Sequence, residues 1–236
     1  MYGFSLGPLL ITGFFMLIGW IVSSRLKSKF QQYSEVHLTK NLTGADVARL
    51  MLADHGLGDV KVISVEGQLT DHYNPANKTV NLSEAVYNGR NAAATAVAAH
   101  ECGHAVQHAK AYSMLELRSA MVPIQNISAK VINFVFIAMM FGAFAFRGIF
   151  SPELALIVII ACYGVFALFA LITLPVEFDA SKRALAWIDN RGIVTRQEHG
   201  MAKDALKWAA MTYVVAAIGA ITMLLYYVMI FLGRRD

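Results

Sequence analysis

Four stretches of the chain are apolar enough, and long enough or nearly so, to cross about 30 Å of hydrocarbon as helices, which takes roughly 20 residues each. They cover residues 4–22, 131–146, 153–176 and 209–232. The second is short and is expected to begin before Lys130, whose long stem can reach the membrane interface. A chain built this way is expected to be a mainly α, multipass helical membrane protein. Its composition agrees: 57% of residues are hydrophobic and 15% charged, against about 45–50% and about 25% in soluble domains.

The first stretch does not read as a cleaved secretory signal. It lacks a basic leading region, and its charges ("RLKSK") follow the apolar run. It is expected to remain as an anchor. Cys102 lies in a polar region and Cys162 inside the third stretch, so no disulfide is expected. The net charge of +4 is modest and no basic patch with interleaved aromatics appears, so the lipid bilayer, not nucleic acid, is the expected partner. No internal repeat is present.

These features divide the chain into an anchor (1–24), a polar α+β region (25–130), a transmembrane hairpin (131–176), a second polar region (177–208) and a last span with a short tail (209–236). In the first polar region, "LTGADVARLMLADHGLGDV" reads as a helix capped by Thr43 with Asp46 three residues on, and stopped at Gly56. Two β-branched runs, 60–65 and 78–83, flank the breaker "EGQLTDHYNPAN". Within it, "LTDHYNP" is expected to turn, with Asp71 bonding its own backbone. Run 78–83 is read either as an edge strand that takes an extended peptide or as an ordinary hairpin strand. An alanine-rich helix follows over about 91–108. The second polar region has helical spacing on both sides of a turn near 190–192. Two spans separate the polar regions, which therefore lie on one side of the membrane.

The alanine-rich helix carries "AAHECGHAVQHA". Residues four apart lie on one helical face about 5–6 Å from each other, so His100 and His104 can address one metal ion. Glu101 is rotated about 100° from the first histidine, beside the ion, where it can take a proton from a metal-bound water. The competing reading is a helix whose histidines merely satisfy local polar contacts.

A catalytic zinc typically takes three protein ligands and keeps one position open. His108 follows His100 by eight residues and drifts about 80° around the helix, which suits a supporting or surface role. Glu177 in "LPVEFDASKRA" is the better third ligand. Pro175 is expected to open a helix with Glu177 in its first turn, and the two intervening spans return Glu177 to the side of the histidines.

The stretches "LTDHYNPANKTVNLSEAVYNGRNAAATAVAAHECGHAVQHA" and "LPVEFDASKRAL" resemble the YugP-like membrane zinc metallopeptidases, over nearly the whole chain. More distantly the plan is similar to the HtpX-like and CAAX-prenyl membrane proteases. The resemblance implies a zincin-like, gluzincin-type unit holding one Zn2+ per chain through His100, His104 and Glu177, with Glu101 as general base. In the HtpX-like group an aspartate four residues after the glutamate orients a histidine; here that position is Ser181, while Asp179 lies only two along. His72 or Tyr73 is expected to donate to the developing oxyanion. Asp71, Ser181 and His108 are expected to support the site.

The function expected is therefore zinc-dependent hydrolysis of peptide bonds in protein or peptide substrates by an integral protein of a bacterial inner membrane. The alternatives are an intramembrane zinc protease and a non-enzymatic zinc-binding scaffold. The basic residues Arg25, Lys27, Lys29, Lys110, Arg118, Lys130, Lys182, Arg183, Lys203 and Lys207 lie near span ends on the side of the motif, against Arg147, Arg234 and Arg235 on the other. This bias places the site in the cytosol and both termini outside.

Overall fold

The computed structural model describes residues 6–145 and 151–233, with side chains as far as 139 in the first stretch. The start of the first expected span, most of the short connection 147–152 and the basic tail from Arg234 lie outside the described residues. In chain order the elements are α1 (Leu6–Ser34), α2 (Gly44–Asp54), β1 (Lys61–Val65), β2 (His72–Asn74), β3 (Thr79–Ser83), α3 (Glu84–Tyr87), α4 (Ala92–Ala109), α5 (Ser113–Ala145), α6 (Pro152–Asn190) and α7 (Arg196–Leu232). Among the described residues four helices are long and apolar enough to cross a membrane: α1, α5 over Ser113–Met139, α6 and α7. Helix α5 begins well before Lys130, as its short apolar run requires.

The chain forms two compact units. One comprises 1–20, 117–173 and 213–236. Its core joins Ile132 and Val135 to Ala155, Leu156, Ile159 and Cys162 and to Met223 and Tyr227. Many large apolar side chains here face outward, such as Leu9 and Leu10 of α1 and Phe134 of α5. That is the pattern of helices whose solvent is lipid.

The other unit comprises 21–116 and 174–212. It holds a three-stranded sheet in the order β1-β3-β2, with β1 parallel and β2 antiparallel to β3. Helix α2 starts with the expected capping box, in which Thr43 and Asp46 exchange side-chain and backbone hydrogen bonds. It ends at Asp54, and Gly56 (φ 71°) takes the left-handed turn that follows. Helix α4 is buried around most of its circumference, because its alanines let α2, α3 and the sheet approach closely. Thr195 and Glu198 form a second capping box at the start of α7, and Glu198 also accepts from the backbone N–H and hydroxyl of Thr39.

Three local expectations are corrected. Run 78–83 supplies the central strand, not an edge. All five residues of β3 are buried, and a buried strand must pair its backbone on both sides. "DHYN" is a strand rather than a turn: His72–Asn74 pairs with β3, and the turn forms one step later, where Asn74 Oδ1 accepts from Ala76 N at 2.9 Å. Pro175 does not open a helix but lies inside α6. There it forfeits one hydrogen bond, whereas ending the helix would leave several carbonyls without helical partners.

Candidate metal centre

The five residues of "HECGH" meet three neighbours in the same unit: α6, the sheet and α2. His100 and His104 face α6. There His100 Nε2 lies 3.3 Å, and His104 Nε2 3.6 Å, from Glu177 Oε2. Glu101 faces the sheet, where Oε2 accepts the backbone N–H of Tyr73 at 2.9 Å. Cys102 packs onto α2, its Sγ 3.5 Å from Ala48 O, and burial pushes its thiol pKa up. Gly103 meets α6 directly: a β-carbon there would stand 2.6 Å from Ala180 O. Absence of a side chain at Gly103 is what lets α6 come close enough for Glu177 to reach both histidines.

Among the described residues, His100, His104 and Glu177 form a group that could hold a metal ion, with ligand atoms all within 4.8 Å of one another. The histidine rings stand nearly perpendicular, at 83°, with centroids 4.8 Å apart. Glu177 is 3% exposed and His104 8%. The donor set suits zinc: metal–ligand bonds of 2.0–2.2 Å in a tetrahedron put ligand atoms about 3.4 Å apart, close to both nitrogen–carboxylate distances. Three ligands leave a fourth position open. The electrostatics favour a cation as well. Burial pulls the His104 pKa down, but Glu177, Glu101 and Gln107 outweigh it and the net shift is upward.

A further layer of side chains holds these groups. Ser181 Oγ lies 3.1 Å from His100 Nδ1. His104 Nδ1 lies 3.0 Å from Oε1 of Gln107, a fully buried side chain that sequence reading passed over. Gln107 also donates to Val176 O and Asp179 Oδ2, both at 2.8 Å. Its signal was its place three residues after His104, on the same helical face. Gly103 was equally legible as a small residue inside the motif, but what it touches was not.

The remaining expected residues lie around this centre in different ways. The Tyr73 hydroxyl is 2.9 Å from His108 Nδ1. His72 is exposed, and its Nδ1 lies 2.8 Å from Thr70 O. Asp71 accepts the Ser83 backbone N–H at 2.7 Å and its hydroxyl at 3.1 Å, which ties the chain just before β2 to the end of β3. Burial raises the Asp71 carboxyl's pKa against those bonds. His108 is exposed and outside the group that could hold a metal ion.

A family model described as "Putative neutral zinc metallopeptidase" matches residues 8–232. The chain is also 43% identical over 213 residues to a Bacillus subtilis (strain 168) protein named "Putative membrane protease YugP", an alignment that covers 90% of this chain and 91% of that one. No solved structure matches the chain.

Proposed function

Since the chain belongs to the "Putative neutral zinc metallopeptidase" family, we propose that it hydrolyses peptide bonds of protein or peptide substrates at one zinc held by His100, His104 and Glu177. The observation that carries this reading is the convergence of two imidazole Nε2 atoms and one carboxylate oxygen beside a second carboxylate, Glu101, that is anchored from the other side. A zinc ion bound there supplies Lewis acidity, polarising the scissile carbonyl and bringing the pKa of water to about 7.

Each protein group then has a defined task. His100, His104 and Glu177 come from two helices, so ion binding depends on α4 and α6 keeping their spacing. Tyr73 N–H holds Oε2 of Glu101, which leaves Oε1 to take a proton and later pass it to the leaving amine. Of the two donors suggested for the oxyanion, Tyr73 is favoured, because its backbone flanks Glu101, whereas His72 is exposed with its Nδ1 beside Thr70 O. A site outside the hydrocarbon, rather than an intramembrane one, is supported by the packing of α4 against α2, α3 and the sheet and by its absence from the four candidate spans.

The test uses the purified full-length protein and its Glu101→Gln variant, with zinc per chain measured beside cleavage of a mixed peptide library read by mass spectrometry. Both are expected to hold zinc, and the wild type alone to cut. A zinc-loaded wild type that cuts no peptide overturns the enzymatic reading in favour of a zinc-binding scaffold.

A further inference from the structure

Gln107 is buried without residue of exposure, and burying an amide is unfavourable unless its hydrogen-bonding groups are met. All of them are. Val176 O and Asp179 Oδ2 are acceptors only, and both lie 2.8 Å from Gln107 Nε2. The amide nitrogen must therefore face α6, and both its hydrogens are spoken for. Oε1 is then the atom turned to His104, 3.0 Å from Nδ1. An amide oxygen only accepts, so His104 must carry its proton on Nδ1. That leaves Nε2, the nitrogen 3.6 Å from Glu177 Oε2, as the ring's ligand atom.

The same side chain also fixes the other ligand. Val176 immediately precedes Glu177, so the bond to its carbonyl holds the α6 backbone at the point where Glu177 departs. Asp179 is held in turn by Arg183 Nε at 2.5 Å, and the Arg183 guanidinium lies 6.0 Å from the centre of the Tyr112 ring. The chain of contacts thus runs from His104 through Gln107 and Asp179 to a cation. His100 has a different partner, Ser181.

We propose that Gln107 is the positioning residue of this site, setting the tautomer of His104 and the placement of Glu177 with one amide, and that Asp179 fixes the amide's orientation. The proposal rests on the reading of His104 and Glu177 as zinc ligands. It assigns to a glutamine–aspartate pair, for His104, the orienting task that a carboxylate bonded directly to a ligand histidine performs in many zinc sites.

Four full-length proteins test it: wild type, Gln107→Leu, Gln107→Glu, and Gln107→Glu combined with Asp179→Asn. Zinc affinity is measured by competition with a chelator. Gln107→Leu keeps the volume and loses the acceptor, and is expected to bind zinc about 10–100-fold more weakly. Gln107→Glu is expected to lose at least as much, because a carboxylate would face Val176 O and the Asp179 carboxylate. The added Asp179→Asn supplies a donor to that carboxylate but leaves Val176 O without one, so it should recover part of the affinity. No recovery in the double variant, or wild-type affinity in Gln107→Leu, overturns the proposal.

A second readout needs no metal. Histidine 15N spectra of the metal-free proteins, at alkaline pH where the rings are neutral, should show the His104 proton on Nδ1 in the wild type and a tautomer mixture in Gln107→Leu. His100 should be unchanged, which a general loss of packing would not allow. An unaltered His104 tautomer in Gln107→Leu also overturns the proposal. If the wild type itself binds no zinc, the metal reading fails on its own account and the 15N spectra still decide whether Gln107 orients the ring.

Discussion

Gly103 of α4 abuts the backbone of Ala180 in α6, so that a β-carbon on Gly103 would stand 2.6 Å from the Ala180 carbonyl oxygen and 3.1 Å from its α-carbon. The obstacle is backbone, which cannot rotate aside as a side chain can. Gly103→Ala is therefore expected to push α6 away, with an overpacking penalty of about 1–3 kcal/mol. Because Glu177 lies three residues before Ala180, zinc affinity should fall together with the thermal midpoint. An alanine variant with wild-type zinc affinity would show that the helix spacing is not what sets the site.

Ligand and bystander are separable by zinc content. Glu177→Ala should lose much of the bound zinc, since two histidines from one helix leave the ion under-coordinated. His108→Ala should retain it, because His108 meets Tyr73 rather than the ligand cluster. Metal analysis of the purified variants that found the reverse pattern would make the centre a three-histidine one.

Zinc binding is expected to strengthen as pH rises. The raised pKa of His104 reflects burial, which lowers it, overcome by Glu177, Glu101 and Gln107. In the metal-free protein the protonated ring adds stability that is fully present below about pH 6.5, the ordinary histidine value, and is lost as pH climbs through the raised one. That proton must leave before Nε2 can bind metal. Affinity should grow by up to about tenfold per pH unit until the raised pKa is passed, then level off. Calorimetry in buffers of different ionisation enthalpy would count the released proton, and a pH-independent affinity would contradict the argument.

Asp71 is expected to matter for turnover more than for metal. Asp71→Ala leaves the Ser83 backbone N–H without its carboxylate acceptor, at about 1–3 kcal/mol of stability. It also loosens the chain leading into β2, whose Tyr73 N–H holds Glu101. The expected result is reduced kcat with zinc per chain unchanged. Loss of zinc instead would mean that the sheet supports the ligands as well as the base.

The orientation proposed from the lysine and arginine distribution places the centre in the cytosol and both termini outside. A reporter that is active only outside the cytosol, fused after Asp236, should be active, and one inserted near Lys110 should not. The opposite pair of results would invert the protein in the membrane.

The sequence by itself determined the class of the molecule. Apolar runs of membrane length, a capped helix at Thr43, two β-branched runs and a histidine pair one turn apart are signals written in neighbouring residues, and each reappears as an element. His100, Glu101 and His104 were legible for the same reason, since a helix turns spacing into direction. Glu177 was legible only through chain topology, and Pro175 beside it misled, because a proline at the edge of an apolar run looks like a helix start, whereas α6 runs on through it. What tertiary structure alone decided is the set of contacts between residues far apart in sequence: Gly103 against Ala180, Gln107 against Val176, and the Tyr73 N–H on Glu101. It also turned run 78–83 into a central strand, by bringing β1 and β2 to its two edges. None of these pairings has a local period or a turn signature. Each exists only because α4 is buried around most of its circumference, against α2, the sheet and α6 at once.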